Sequence, residues 1–376
     1  MLLKNALVYR NRYRDFVTTD IKICNGIISD IGNFQDEDGM DLKGYAIVPG
    51  LIDVHTHGRA GFDFVTAYES DLPIIARDYA KHGVTTVMPT LASAPFEELV
   101  AHTNNINNFV PEKNQADFCG VHLEGRYLST KRKGAHLEEL IAPLNADELE
   151  NEVFRSCKSL QITAAYELDN DGSFLAKVME IGGTASLGHT DATFEQAREA
   201  EKKGIVAYTH LFNAMPALHH RSGGAVCAAL TGSCYAEIIC DGIHVSPEMV
   251  SLAYSLLGCD RTVLISDSMQ ATGCPDGEYS IAGSVAVVKN GVALTLDGAL
   301  AGSTLTLDNA VNNLIDFCSI PLTDAILCAT ENPARQVGVF DSRGSIEIGK
   351  RADLLIIDST DRLRLIKVMV KGNFID

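Results

Sequence analysis

No apolar run in the 376-residue sequence approaches the ~20 residues that a membrane-crossing helix needs. The opening stretch, MLLKNALVYR, carries Lys4 and Asn5 inside its only apolar segment, so a signal-peptide core and small-residue cleavage site are not expected. Basic residues are in the minority: 31 Lys and Arg against 49 Asp and Glu give a formal net charge of −18. That balance argues against nucleic acid or an anionic membrane as the main partner, though not against a small anion in a local basic pocket. The ten cysteines include no C-x-x-C pair and read as reduced, mostly buried thiols, which implies the cytoplasm. Internal repeats and low-complexity tracts are also missing. What remains is an ordinary globular mixture, 46% hydrophobic and 21% charged, long enough to bury a sizeable core without staples.

The two ends of the chain are alike in kind. Residues 2–50 hold NALVYR, DIKICNGIISDIG and YAIVPG, and residues 344–376 hold GSIEIGKRADLLIID and LIKVMVKGNFID. Apolar and polar residues alternate in these runs, and Gly, Asn and Asp break them, as in half-exposed strands. Chain ends often meet in space. One small β-domain built from both termini, 1–50 with 344–376, is therefore expected.

The middle, 51–343, alternates strand-like and helix-like segments. Strand candidates are LIDVHTH, VTTVMPTL, FCGVHLEG, LQITAAYE, TASLGHT, VAYTHLF, AEIICDGIH and TVLISDS. Helices are expected over 71–82, 95–108, 146–158, 173–181, 193–203 and 246–257. Eight strands with intervening helices predict an α/β fold, a (β/α)8 TIM-like barrel beside a small β-sandwich domain. Two longer insertions, near 126–145 and 213–232, would sit on the catalytic face.

Metal-type side chains fall at the C-terminal ends of these strands, where barrel enzymes keep their sites. His55 and His57 end strand one, Glu124 strand three, His189 strand five, His210 strand six and Asp267 strand eight; Asp241 and His244 end strand seven. Residues two apart on a strand share a face, so His55 and His57 can share one metal. A carboxylate such as Glu124 has two oxygens and can bridge two ions. His189 and His210 supply neutral nitrogens. Asp267 follows an apolar run, where a carboxylate needs partners or a metal. It is a candidate ligand and a candidate general base. His136 and His244, on face loops, are substrate candidates, and His122 shares the face of Glu124.

Together PGLIDVHTHG, GVTTVMPT, GVHLEG followed by KGAH, LGHTDA, THLFNAMP, CDGIHV, LISDSM, LAGSTLTLDNAVNNL, ATENPAR and GSIEIGKRADLLIID resemble the N-acetylglucosamine-6-phosphate deacetylase family of the amidohydrolase superfamily. The resemblance implies that Glu124, His189 and His210 form one metal site and that His55 and His57, with Asp267, hold a second ion. Either one or two divalent ions fit, with zinc or iron expected ahead of manganese or cobalt. It further implies that Ala135 and His136 face the sugar, that Asn213 and Ala214 approach the phosphate through backbone groups, and that Leu300, Ala301 and Gly302 line the pocket. Arg221 would pair the phosphate, in a homodimer from the neighbouring subunit. His244 would polarise the acetamide carbonyl. Asp267 would take a proton from a metal-activated water and return it to the leaving amine, giving acetate and a hexosamine 6-phosphate.

The sequence departs from the family pattern at three places. Arg126 stands where HLEG is usually followed by Pro, Ser222-Gly223-Gly224 stand where Glu-Pro-Gly usually follows Arg221, and Arg59 interrupts the glycines after H-x-H. Arg59 and Arg126, on mouth loops, are either surface charges or anion contacts that would shift the sugar accepted. A rival reading is a deacetylase of N-acetylgalactosamine 6-phosphate or another acetamido sugar phosphate, since epimers differ by one hydroxyl. A cyclic-amide hydrolase needs a carboxylated Lys at the end of strand four, and LQITAAYELD has none. A non-enzymatic scaffold predicts missing ligands, and every expected ligand is present.

Overall fold

In the computed structural model, which describes residues 1–34 and 37–375, eight parallel strands follow one another in space as they do in sequence. They are Leu51–Thr56, Val84–Ala92, Val121–Glu124, Leu160–Ala164, Thr184–Leu187, Ala207–Tyr208, Tyr235–Ile239 and Thr262–Ile265. Helices cover the outside and side chains fill the inside, so these strands read as continuous apolar runs. Val84–Ala92 is buried at every position. The seam between strands eight and one closes through backbone and one carboxylate. Asp267 N donates to His55 O at 2.9 Å and His57 N donates to Ser268 O at 2.8 Å. Ser266 donates to Asp53 from its backbone N (3.3 Å) and its Oγ (2.5 Å).

Helices Leu72–Lys81, Phe96–Asn108, Ser173–Glu180, Phe194–Lys203 and Pro247–Leu257 occupy five of the expected spans. Phe194–Lys203 starts on a capping box, Thr193 with Gln196, and stops at Gly204, whose φ of 119° suits only glycine. The span 146–158 is not one helix. Asn145 and Asn151 each accept a backbone N–H two residues on, which splits it into a 3-10 turn at Ala146–Glu150 and a short helix at Glu152–Arg155. The stretch 213–232 is not all insertion, since Gly224–Thr231 is a barrel helix. A three-stranded meander (Gly277–Ile281, Ser284–Lys289, Val292–Thr295) was not expected at all. Its inner face packs Ala286, Val288 and Ala293 against Met269 and Ala301 beside the barrel mouth.

Strands from both chain ends share one sheet. Ala46–Pro49 lies between Leu2–Arg10 and Leu354–Ile357, with Leu354 opposite Pro49 and Ile357 opposite Ala46. One face of this sheet builds a core of its own from Leu3, Val8, Ile21, Ile47, Leu354 and Met369. The other turns Val48, Leu355, Ile357 and Val368 into the barrel core. Asp117 ties barrel to sheet, pairing with Arg343 (3.1 Å), Arg351 and Lys371 (3.7 Å). Burial pushes its carboxyl up, but the charges of Arg351 and Arg343 outweigh this and hold it below the usual range. Gln35, Asp36 and Asp376, within the two terminal segments, lie outside the described residues.

Candidate active site

Five imidazoles close on the carboxylate of Glu124, the last residue of strand three. Its Oε1 lies 2.9 Å from His210 Nε2, 3.1 Å from His189 Nε2 and 3.4 Å from His55 Nε2. Its Oε2 lies 3.0 Å from His57 Nε2 and 3.6 Å from His136 Nε2. Asp267 Oδ1 completes the ring, 3.3 Å from His57 Nε2 and 3.6 Å from His55 Nε2. All seven residues are buried. His189, His210 and Asp267 sit just past their strands with φ of 46°, 31° and 49°. Left-handed backbone at such residues costs about 1–3 kcal/mol each, and it persists where the surroundings over-determine it. Here it turns the side chains over the barrel axis. Gly134 (φ 57°) lies against the His189 ring, and a Cβ there would stand 3.1 Å from Cε1.

The partners of each ring's far nitrogen decide which nitrogen is left for a ligand. Nδ1 of His189 meets the carbonyl of Arg132 at 2.9 Å, and a carbonyl only accepts, so Nδ1 carries the proton. Nδ1 of His55 faces the Glu237 carboxylate at 3.1 Å, with the same consequence. In the neutral form both rings present Nε2 lone pairs toward anionic oxygens. With no cation between them His55 takes a second proton, because its burial is outweighed by Glu124, Glu237 and Asp267, which raise it well above the usual range. Among the described residues His55 Nε2 has no hydrogen-bond partner, and His189 and His210 bring Nε2 atoms within 3.0 Å of each other. Lone pairs facing carboxylate oxygens need positive charge between them. This donor set fits a divalent cation. The groupings His55–His57–Glu124 and Glu124–His136–His189 both bring ligand atoms close enough to share an ion. His136 differs in chemistry, because the backbone N–H of Ser93 donates to its Nδ1. Its proton is therefore on Nε2, which makes it a donor into the cavity.

The titration shifts follow the same logic. Burial raises the carboxyls of Glu124 and Asp267. The His55 charge and the imidazole hydrogen bonds overcome it at Glu124, which lies well below its usual range. The His57 hydrogen bond and the His55 charge do the same at Asp267. Burial disfavours charge on His57, yet its hydrogen bonds to Asp267 and Glu124 push it up to about 9. Burial takes His136 down to about 4, so it is neutral at pH 7. For His244 burial is outweighed by Asp241, whose Oδ2 is 2.7 Å from Nδ1, and the ring is raised.

Above this centre opens a cavity of ≈ 740 Å³, its mouth included. His136, Asn213, Ala214, His244, Leu300 and Gly302 line it, with Ala135. Ala301 does not: it is fully buried behind the lining, its N–H bonded to Ala293 O. Arg221 is exposed and outside the cavity. Arg59 and Arg126 are also elsewhere, which removes the basis for treating them as anion contacts. Arg59 is fully buried, pairs with Asp78 at 2.6 Å and stacks on Tyr79. Arg126 pairs with Glu148 at 3.4 Å. His122 touches Thr90 and Thr163 rather than Glu124. Among the described residues, no Lys or Arg lines the cavity.

The family model for the amidohydrolase family matches residues 46–375. This chain belongs to the amidohydrolase family. It is 34% identical over 357 residues to the N-acetylglucosamine-6-phosphate deacetylase of Vibrio furnissii, covering 93% of this chain and 89% of that one. It is 36% identical over 316 residues to the N-acetylgalactosamine-6-phosphate deacetylase of Escherichia coli O157:H7, covering 83% and 84%. The solved structure of N-acetyl-D-glucosamine-6-phosphate deacetylase from Mycobacterium smegmatis superposes over the whole of both chains with a TM-score of 0.91 at 30% identity. An alanine variant of that enzyme, solved with N-acetyl-D-glucosamine-6-phosphate, superposes with a TM-score of 0.89 at 28% identity.

Three residues of this amidohydrolase centre escaped the sequence reading. Glu237 lies under the histidines, fully buried in strand seven. Its signal was a charge inside the apolar run YAEIIC. Asp53, in LIDVHTH, gave the same signal. Ser93, which sets the proton of His136, gave none, because serine after a strand is ordinary.

Proposed function

We propose that this chain is a metal-dependent amidohydrolase that hydrolyses the acetamide of N-acetylglucosamine 6-phosphate to glucosamine 6-phosphate and acetate. The observation that carries it is the ring of His55, His57, His189, His210 and Asp267 around Glu124, at the floor of a sugar-sized cavity. His55, His57, Glu124, His189 and His210 would hold one or two divalent ions, zinc or iron by donor chemistry. Such an ion supplies a Lewis acid for the amide carbonyl and lowers the pKa of water from 15.7 toward ~7. Asp267, held in its carboxylate form, accepts the proton of the attacking water and passes it to the departing amine. His244, raised by Asp241, donates to the carbonyl oxygen as charge develops there. His136 donates to the sugar through Nε2. The apolar wall of Ala135, Ala214, Ile281, Ala282 and Leu300 shields the reacting atoms.

The absence of Lys or Arg from the cavity lining supports a homodimer in which Arg221 reaches a neighbouring subunit's phosphate, with Asn213 and Ala214 contributing backbone groups. The division into a terminal unit, 1–50 with 344–376, and a catalytic unit, 51–343, belongs to the same reading. So does a cytoplasmic location, supported by ten free thiols and by the lack, among the described residues, of a helix long and apolar enough to cross a membrane. N-acetylgalactosamine 6-phosphate is the second candidate substrate, since identity to a deacetylase of that name is as high as to those for the glucose epimer. Acetate release from both epimers, each with and without phosphate, separates these readings.

A further inference from the structure

Glu237 is a carboxylate deep in a barrel core, and the reaction above does not use it. It stands in the middle of strand seven, fully buried, as is His55. Four nitrogens surround it. Oε1 accepts from Gln336 Nε2 at 2.6 Å and from Gln161 Nε2 at 3.1 Å. Oε2 faces His55 Nδ1 at 3.1 Å and His210 N at 3.4 Å. A group needed only to fill space there would be apolar, because a buried carboxylate carries a desolvation cost.

The contact with His55 gives that cost a use. A neutral imidazole has one proton for two nitrogens. While Glu237 holds that proton on Nδ1, Nε2 is a lone pair, 3.4 Å from Glu124 Oε1 and 3.6 Å from Asp267 Oδ1. Without Glu237 the proton's best acceptors are those two carboxylates, and Nε2 is blocked. The His122 ring meets His55 edge-on at 4.7 Å and 88°, fixing the ring plane. Both His122 nitrogens are engaged by Thr90 and Thr163, so it offers His55 no alternative acceptor.

Building on the metal-dependent reading, we propose that Glu237 is a positioning residue which, through the tautomer of His55, decides whether the His55–His57 half of the centre takes a cation. The half built by His189, His210 and Glu124 meets Glu237 only through the long contact to the His210 backbone N–H, 3.4 Å, and its His189 ring is oriented by the Arg132 carbonyl instead. The prediction is selective: loss of Glu237 weakens one cation and spares the other.

The test is equilibrium dialysis of the metal-stripped protein against Zn2+, with elemental analysis for stoichiometry and circular dichroism for fold. Wild type is expected to bind two equivalents. Glu237→Ala should keep one and bind the other roughly 10- to 100-fold more weakly, the usual effect of losing a ligand's orienting partner. Glu237→Gln keeps an acceptor for the His55 proton but no charge. It should weaken the same equivalent by only about threefold to tenfold, and it decides the matter if the alanine variant does not fold. Gln336→Met removes a hydrogen bond from the other oxygen of Glu237. It should lower thermal stability while leaving both equivalents at wild-type affinity. Folded variants of Glu237 with wild-type binding would overturn the proposal, as would equal metal loss in Gln336→Met. A wild type that binds one equivalent overturns this proposal alone; one that binds none overturns the metal-dependent reading with it.

Discussion

Ser93 fixes the proton of His136: its backbone N–H donates to Nδ1 at 3.3 Å and its Oγ stands 2.9 Å from the same atom. His136 is within 3.6 Å of Glu124, close enough to be mistaken for a ligand. The tautomer separates it from the proposed ligands. His136→Ala should leave bound metal unchanged and reduce kcat/KM by about 10- to 100-fold, the loss of one or two buried hydrogen bonds to substrate. His189→Ala should lose metal. Elemental analysis of the two variants side by side checks the distinction, and metal loss in His136→Ala would put that residue among the ligands.

In the proposed reaction Asp267 would carry the proton from water to the amine. Asp267→Asn preserves size and one acceptor oxygen but cannot take a proton. Turnover should fall by about 10²–10⁴-fold while metal is retained. An active asparagine variant would remove Asp267 from the role of base.

Protons and metal compete for the same nitrogens. His57 holds its proton up to about pH 9, because Asp267 and Glu124 outweigh its burial. A cation must displace that proton and the one that the neighbouring carboxylates hold on His55, so affinity should rise with pH across the range up to about 9. Calorimetry in buffers of different ionisation enthalpy should show proton release on binding. Affinity that is flat between pH 6 and 9 would contradict this account.

Asp117 should govern acid stability. Its folded-state pKa is lowered, so its contribution is present above the unfolded value and lost as pH falls through the folded one. Asp117→Asn leaves Arg343 and Arg351 without their shared partner and should cost about 3–5 kcal/mol at pH 7. In urea titrations the gap between variant and wild type should close on acidification. A gap that stays constant to pH 2 would assign the loss to packing instead.

The barrel was legible because strands buried on both faces read as apolar runs and the polar residues of its centre stand where those runs stop. His189, His210 and Asp267 were visible for that reason. Gly224–Thr231 was not, since a helix buried nearly all round has no polar face to give it a period. The meander does carry a signal, alternation through SVAVVKNGVALT with Asn290-Gly291 at its turn, but an antiparallel hairpin has no place in the strand–helix alternation that predicts the barrel. The tautomers of His55, His136 and His189 were out of reach. They depend on Glu237, Ser93 and Arg132, which lie far from these histidines in sequence and meet them only in the folded barrel.

The central claim is an acetamide hydrolysis that depends on the Glu124 centre. Its most direct test is acetate release by the purified protein from a panel of acetamido sugars, phosphorylated and not, before and after chelation. The account predicts acetate from N-acetylglucosamine 6-phosphate that stops when metal is removed and returns when a divalent ion is restored. A metal-loaded protein that releases no acetate from any member of the panel would contradict it.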